Sequence, residues 1–199
     1  MKETLPTLYK LANLLSIIGH PLLTWTVFSV YISFRQLPVR NAMLISGLLI
    51  GGVVVPVGIL TYRKVKQGKY SNFDISNRRQ RAGFYPFVIG LMTLATGLLV
   101  VTNQPRSFIY GMGVALLLLI VSYGVNFFIK ASMHTSLSIF LAWAGSLISF
   151  RLGVMLGLWA VLVAASRLIL VRHTLLEVVI GALIGLVSGV GLHWLLSPN

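Results

Sequence analysis

Two histidines, two carboxylates and a set of arginines and lysines are the residues whose types and spacing could do chemistry. His173 and Glu177 stand four apart, so on a helix they would share one face. A carboxylate so placed accepts an imidazole N–H, fixes the tautomer and makes the other ring nitrogen a better base or nucleophile. Arg167, just upstream, offers a planar fork suited to phosphate oxygens. Lys130 and His134 are also four apart, and Ser132 between them can cap a helix start, where free N–H groups favour phosphate. Asp74, Arg78 and Arg81 stand at helical spacing, so that an aspartate could hold an arginine toward an anionic ligand if that segment is helical. Phosphoryl transfer needs these parts: a nucleophile, a proton donor and cations that offset oxygen charge. No metal is required by this set. His134, His173, Asp74 and Glu177 could in principle bind zinc, but there is no His-Glu-x-x-His pattern and the neighbouring cations oppose a dication.

The elements that must position these groups are membrane helices. The chain has 199 residues, 57% hydrophobic and 10% charged, with mean hydropathy +0.91. A soluble domain runs to about 45–50% apolar and about 25% charged. Disordered chains, disulfide-stapled secreted domains and nearly all soluble enzymes are thereby excluded. The expected fold is all-α: a polytopic transmembrane bundle of six to seven spans, forming a single membrane domain over residues 1–199. A span needs about 20 apolar residues. Seven runs qualify: Leu11–Phe34, Asn41–Tyr62, Ala82–Pro105, Ser107–Ile129, Ala131–Phe150, Leu152–Val171 and Thr174–Leu196. Six remain if the first is interfacial or re-entrant. Met1–Lys10 does not read as the start of a cleavable signal peptide, since it carries Lys2, Glu3 and Lys10 ahead of an overlong apolar run. Gly181, Gly185 and Gly189 make a small-residue stripe that reads as helix packing. Pro56 reads as a kink.

Charge sets the expected partners and orientation. The net charge is +13, from 16 Lys and Arg against 3 Asp and Glu. These cations lie between apolar runs, which points to anionic lipid or a phosphate-bearing substrate and away from nucleic acid. If all seven runs cross, Arg35, Arg40, Arg106 and Arg151 fall on one side and the other twelve of the 16 Lys and Arg fall on the other. The richer side is then cytoplasmic. All three acids, Glu3, Asp74 and Glu177, and both His134 and His173 share it. The expected location is a bacterial inner (plasma) membrane, with the site facing the cytoplasm. The cations from Arg63 to Lys69 read equally well as a solvated loop. His20, ahead of Pro21, reads as a kink-associated packing residue, and His193 with Trp194 as an interfacial anchor.

Ser166-Arg167, five residues, His173, three residues, Glu177 resembles the third signature of the type 2 phosphatidic acid phosphatase (PAP2) superfamily, Ser-Arg-x5-His-x3-Asp. Lys130-Ala131-Ser132-Met133-His134 resembles its second signature, Pro-Ser-Gly-His, and Arg81 stands where the arginine of the first, Lys-x6-Arg-Pro, falls by order. The resemblance covers roughly residues 60–190. It implies a PAP2-like core and an integral-membrane lipid phosphate phosphatase that forms a phosphohistidine. Its substrate would be a phosphatidate-like lipid or a polyprenyl diphosphate, and it would need no metal or other cofactor. His173 would be the nucleophile, Glu177 its orienting group and His134 the general acid. Arg167, Arg81 and Ser132 would hold the phosphate, with Lys130 and Arg78 as further cations and Asp74 in support. The chain departs from the pattern at Asp74, where a lysine is expected, and at Ala82, Met133 and Glu177.

Two other readings stand beside the phosphatase. A transporter with a buried ionisable relay would spread polar residues through the membrane depth, whereas these gather at one face. A catalytically inactive, lipid-binding relative would keep its binding when His173 is replaced. A prenyltransferase lacks its Asp-rich motifs here.

Overall fold

The computed structural model describes residues 6–75 and 77–197. Lys2 and Glu3 lie outside them. Among the described residues the regular structure is all helical, without a strand: α1 (Pro6–Ile18), α2 (Pro21–Gln36), α3 (Val39–Leu49), a π-helical turn (Ile50–Val54), α4 (Val55–Lys66), α5 (Arg78–Val101), α6 (Arg106–Val125), α7 (Met133–Ser146), α8 (Phe150–Ile169) and α9 (Leu175–Leu196). The π turn ends two residues before Pro56, whose missing N–H removes one bond from the regular helix ladder where a kink is expected.

Five helical stretches are long and apolar enough to cross a membrane: Val39–Lys66, Arg78–Val101, Arg106–Val125, Phe150–Ile169 and Leu175–Leu196. A sixth results if the bent pair α1 and α2 is one span. Such helices fit a multi-pass membrane protein. The count of six to seven therefore meets the structure only at its lower edge. The run that fails is Ala131–Phe150, which becomes the 14-residue α7. At 1.5 Å per residue α7 is about 21 Å long, against an apolar bilayer core of about 30 Å. The twelve-to-four split of cations assumed that this run crosses, so that split no longer fixes which side the site faces.

The chain divides into two compact units. The first holds the described residues of Met1–Thr24 and Ile129–Asn199, and the second is Trp25–Phe128. In the first unit α7 lies against both α8 and α9, and α1 lies against α8. The glycine stripe makes the α7–α9 contact possible. A Cβ on Gly181 would come within 2.6 Å of the Ser132 carbonyl oxygen. One on Gly185 would strike the Ser136 carbonyl, and one on Gly189 the Trp143 side chain. Packing is thus the role of the stripe. It draws the backbone of α7 against that of α9, and α7 is accordingly the most enclosed helix, burying His134, Thr135, Ser136, Leu137, Ser138, Phe140, Leu141 and Gly145. Its buried hydroxyls turn back onto nearby acceptors: Ser136 Oγ donates to the Ser132 carbonyl at 3.0 Å, and Thr135 Oγ1 to Ser132 Oγ at 3.0 Å. At the far end, the His193 ring meets that of Trp143, with centroids 6.1 Å apart, while Trp194 is exposed.

In the second unit the stretch α3–α4 packs on α5 through the π turn, and α5 packs on α6. Asn77 caps α5 by accepting the Arg79 N–H at 2.9 Å.

Candidate active site

The first unit gathers the polar groups of four chain segments at one end of its helices. The end of α8 fixes the first of them. Arg167 is fully buried, and its guanidinium Nη1 donates to Ser16 Oγ of α1. Its carbonyl accepts the N–H groups of Arg172 (3.1 Å) and His173 (3.3 Å). The chain can fold back in this way because Val171 adopts φ 54°, the left-handed conformation that ends many helices. A β-branched residue is strained there. One buried arginine thus places a guanidinium with its side chain and sets the backbone of His173 with its carbonyl.

The start of α9 supplies the second group. Thr174 and Glu177 form a capping box: Thr174 Oγ1 accepts the Glu177 N–H at 3.3 Å, and Glu177 Oε2 accepts the Thr174 N–H at 3.1 Å. The same oxygen lies 2.8 Å from His173 Nδ1. His173 precedes the cap residue, so the pair does not meet on a helical face as the i,i+4 spacing suggests; the capping box brings it together instead. With Nδ1–H donating to the carboxylate, the lone pair falls on Nε2, a buried atom. Lys130 completes the set: its Nζ donates to the Arg172 carbonyl at 2.9 Å and lies 3.8 Å from Glu177 Oε2. The lysine therefore serves the loop and the carboxylate that hold His173.

The start of α7 brings the third and fourth groups. The Ser132 N–H donates to the Glu177 carbonyl at 3.0 Å, joining α7 to the first turn of α9. Ser132 occupies the cap position of α7, but its hydroxyl makes no capping bond and accepts from Thr135 instead. That corrects the expected cap. His134 follows in the first turn of α7 and is buried. Its ring meets that of His20, centroids 5.4 Å apart and planes at 88°.

Asp74, Arg78 and Arg81 belong to the second unit. α5 begins only at Arg78, so Asp74 lies in the turn before it, and the expected shared helical face does not form. Arg78 donates from Nη1 to the Phe128 carbonyl at 2.9 Å and from Nη2 to that of Phe127, while its own carbonyl accepts from Asn126 Nδ2 at 3.3 Å. Its guanidinium thus closes the end of α6. Arg81 is buried and donates from Nε to the Ile75 carbonyl at 2.8 Å. Ile75 itself has φ 47°, so this bond steadies a strained turn.

Sequence reasoning missed two partners in the first unit. Ser16 gave no signal, being one serine of an apolar helix. His20 was read as a kink residue. It does cap α2, accepting the Leu22 N–H at Nδ1 (3.3 Å), with Pro21 at the first helical position. The ring contact with His134 lay beyond the reach of local pattern. Among the described residues no group of three or more His, Cys, Asp or Glu could hold a metal ion. Compared with known proteins, the chain matches no family model, no curated protein and no solved structure.

Proposed function

We propose that the first unit carries a phosphoryl-transfer site acting on a phosphorylated lipid, and that the protein is a membrane phosphatase of the PAP2 type. The observation that carries this reading is the His173–Glu177 pair. A carboxylate 2.8 Å from Nδ1, itself fixed by the Thr174 cap, orients the ring and directs the Nε2 lone pair outward from the pair. A fully buried guanidinium on Arg167 and a buried imidazole on His134 at the same end supply the remaining parts.

In the proposed reaction Nε2 of His173 attacks phosphorus in line. The bond from phosphorus to the lipid oxygen breaks, and His134 passes its proton to that leaving oxygen. Arg167 offsets charge on the phosphoryl oxygens. Water then attacks the phosphohistidine, His134 takes the proton of that water, and inorganic phosphate leaves with His173 restored. The apolar helices favour a substrate that partitions into the bilayer over a soluble phosphate ester.

The test is phosphate release by detergent-purified protein from phosphatidate, phosphatidylglycerophosphate and short and long polyprenyl diphosphates, with His173→Ala alongside. Release that disappears in the variant supports the reading. No release from any of these lipids, or release indifferent to the substitution, removes it.

A further inference from the structure

We infer that Ser16 is a positioning residue for Arg167: α1 supplies the acceptor that holds the buried guanidinium in the orientation that meets substrate phosphate. The inference rests on the reading of Arg167 as a phosphate ligand. Its first support is where the Ser16 hydroxyl turns. In other helices of this chain buried hydroxyls bond back to a carbonyl one turn earlier, Ser33 to Ser29, Thr61 to Val57 and Ser136 to Ser132, as serine and threonine commonly do. Ser16 instead accepts from Nη1 of Arg167, across the contact between α1 and α8. Both residues are buried.

The second support is the seat of α1. Ala12 and Ser16 are the residues that α1 buries, and Gly19 just beyond it is buried as well. A Cβ on Gly19 would come within 2.5 Å of the Val163 side chain, one turn before Arg167 on α8. The two contacts, Gly19 on Val163 and Ser16 on Arg167, run in opposite order along the two helices. The pair is therefore antiparallel, and small residues let it approach closely. The same end of α1 leads to His20, whose ring meets that of His134. This end thus touches two members of the site, one from α8 and one from α7. The chemistry of the acceptor matters too. A guanidinium carries its N–H donors in a rigid fork, so holding one of them narrows the orientation of the rest. Serine is a neutral acceptor, so Arg167 keeps its charge for phosphoryl oxygens, which a carboxylate at this position would offset.

Substitutions at Ser16 separate the hydroxyl from its volume. The readouts are inhibition of phosphate release by inorganic phosphate, kcat/KM for the best lipid substrate and the thermal midpoint in one detergent. Ser16→Ala should weaken phosphate inhibition about tenfold, the low end of what a hydrogen bond to a charged group contributes. It should lower kcat/KM by a similar factor. Ser16→Cys nearly keeps the volume but offers only a weak sulfur acceptor, and should resemble Ser16→Ala. Ser16→Thr adds a methyl group but keeps the hydroxyl, and should hold phosphate inhibition within about threefold of the original even where the midpoint falls. A residue that only docks α1 would give the reverse order, with Ser16→Cys close to the original, Ser16→Thr impaired and phosphate inhibition following the midpoint. That order, or phosphate inhibition in Ser16→Ala within about twofold of the original, overturns the inference. If Ser16→Ala fails to fold, Ser16→Cys decides by the same limits. In those outcomes the unsubstituted protein still releases phosphate. Absence of release from every lipid is a different result, which removes the phosphatase reading and this inference with it.

Discussion

The main-chain N–H of Ser132 donates to the carbonyl of Glu177 at 3.0 Å. This bond joins the helix that carries His134 to the turn that carries His173. It forms only because Gly181, one turn further along α9, leaves room for the Ser132 backbone. The small-residue stripe and the site are thus one construction. The glycines set the approach of two helices, and the approach sets the distance between two histidines.

Gly181→Ala should consequently damage both stability and activity. Its Cβ would lie within 2.6 Å of a backbone oxygen that cannot rotate away. Overpacking of this kind costs about 1–3 kcal/mol. Gly191→Ala, on the same helix but facing open space, is the control and should leave the thermal midpoint unchanged or slightly higher. Thermal melts of both variants in one detergent decide the matter.

Lys130 is expected to act on catalysis and not on phosphate affinity. Its ammonium is bonded to the Arg172 carbonyl and paired with Glu177. Lys130→Met should lower kcat about tenfold, equivalent to about 1.4 kcal/mol, while inhibition by inorganic phosphate changes less than about twofold. A large loss of phosphate affinity instead would make it a phosphate ligand, as its spacing from His134 had suggested.

Glu177→Gln tests the orienting carboxylate. The amide can still accept from Thr174, so the α9 cap survives, but it no longer favours the tautomer with hydrogen on Nδ1 of His173. By the behaviour of triads with a neutralised acid, kcat should drop about a thousandfold or more. A melt close to that of the unsubstituted protein would show that chemistry, and not folding, was lost.

The degree to which this was legible in the sequence follows from how local each feature is. The spacing of His173 and Glu177 foretold their contact, although the contact is made by a capping box outside the helix and not along its face. Five of the seven apolar runs correspond to helical stretches long enough to cross, because in those runs the helix extends over the whole apolar length. Ala131–Phe150 misled because hydropathy does not register where a helix begins and ends: α7 starts after Ser132 and stops at Ser146. Asp74, Arg78 and Arg81 would share a face only in a helix that holds all three, and Asn77 caps α5 after Asp74, so that condition is not met. His20 was beyond reading, since its partner is distant along the chain and its local role as a cap is complete in itself.

Val171 should be improvable without harm to its surroundings. It is exposed and β-branched at φ 54°. Asparagine tolerates that conformation, so Val171→Asn should stabilise the fold by about 1 kcal/mol. The thermal midpoint should rise, with phosphate release unchanged to within about twofold. A lower midpoint would mean that the side chain contributes more than its exposure suggests.

The central claim is that a phosphoryl group passes through His173. Rapid alkaline quench during turnover of a labelled lipid phosphate, followed by peptide mapping, tests it most directly. The account predicts an alkali-stable, acid-labile phosphate on the peptide containing His173, at the ring nitrogen not held by Glu177, and no such label in His173→Ala. Label on another residue, or turnover that persists in His173→Ala, would contradict it.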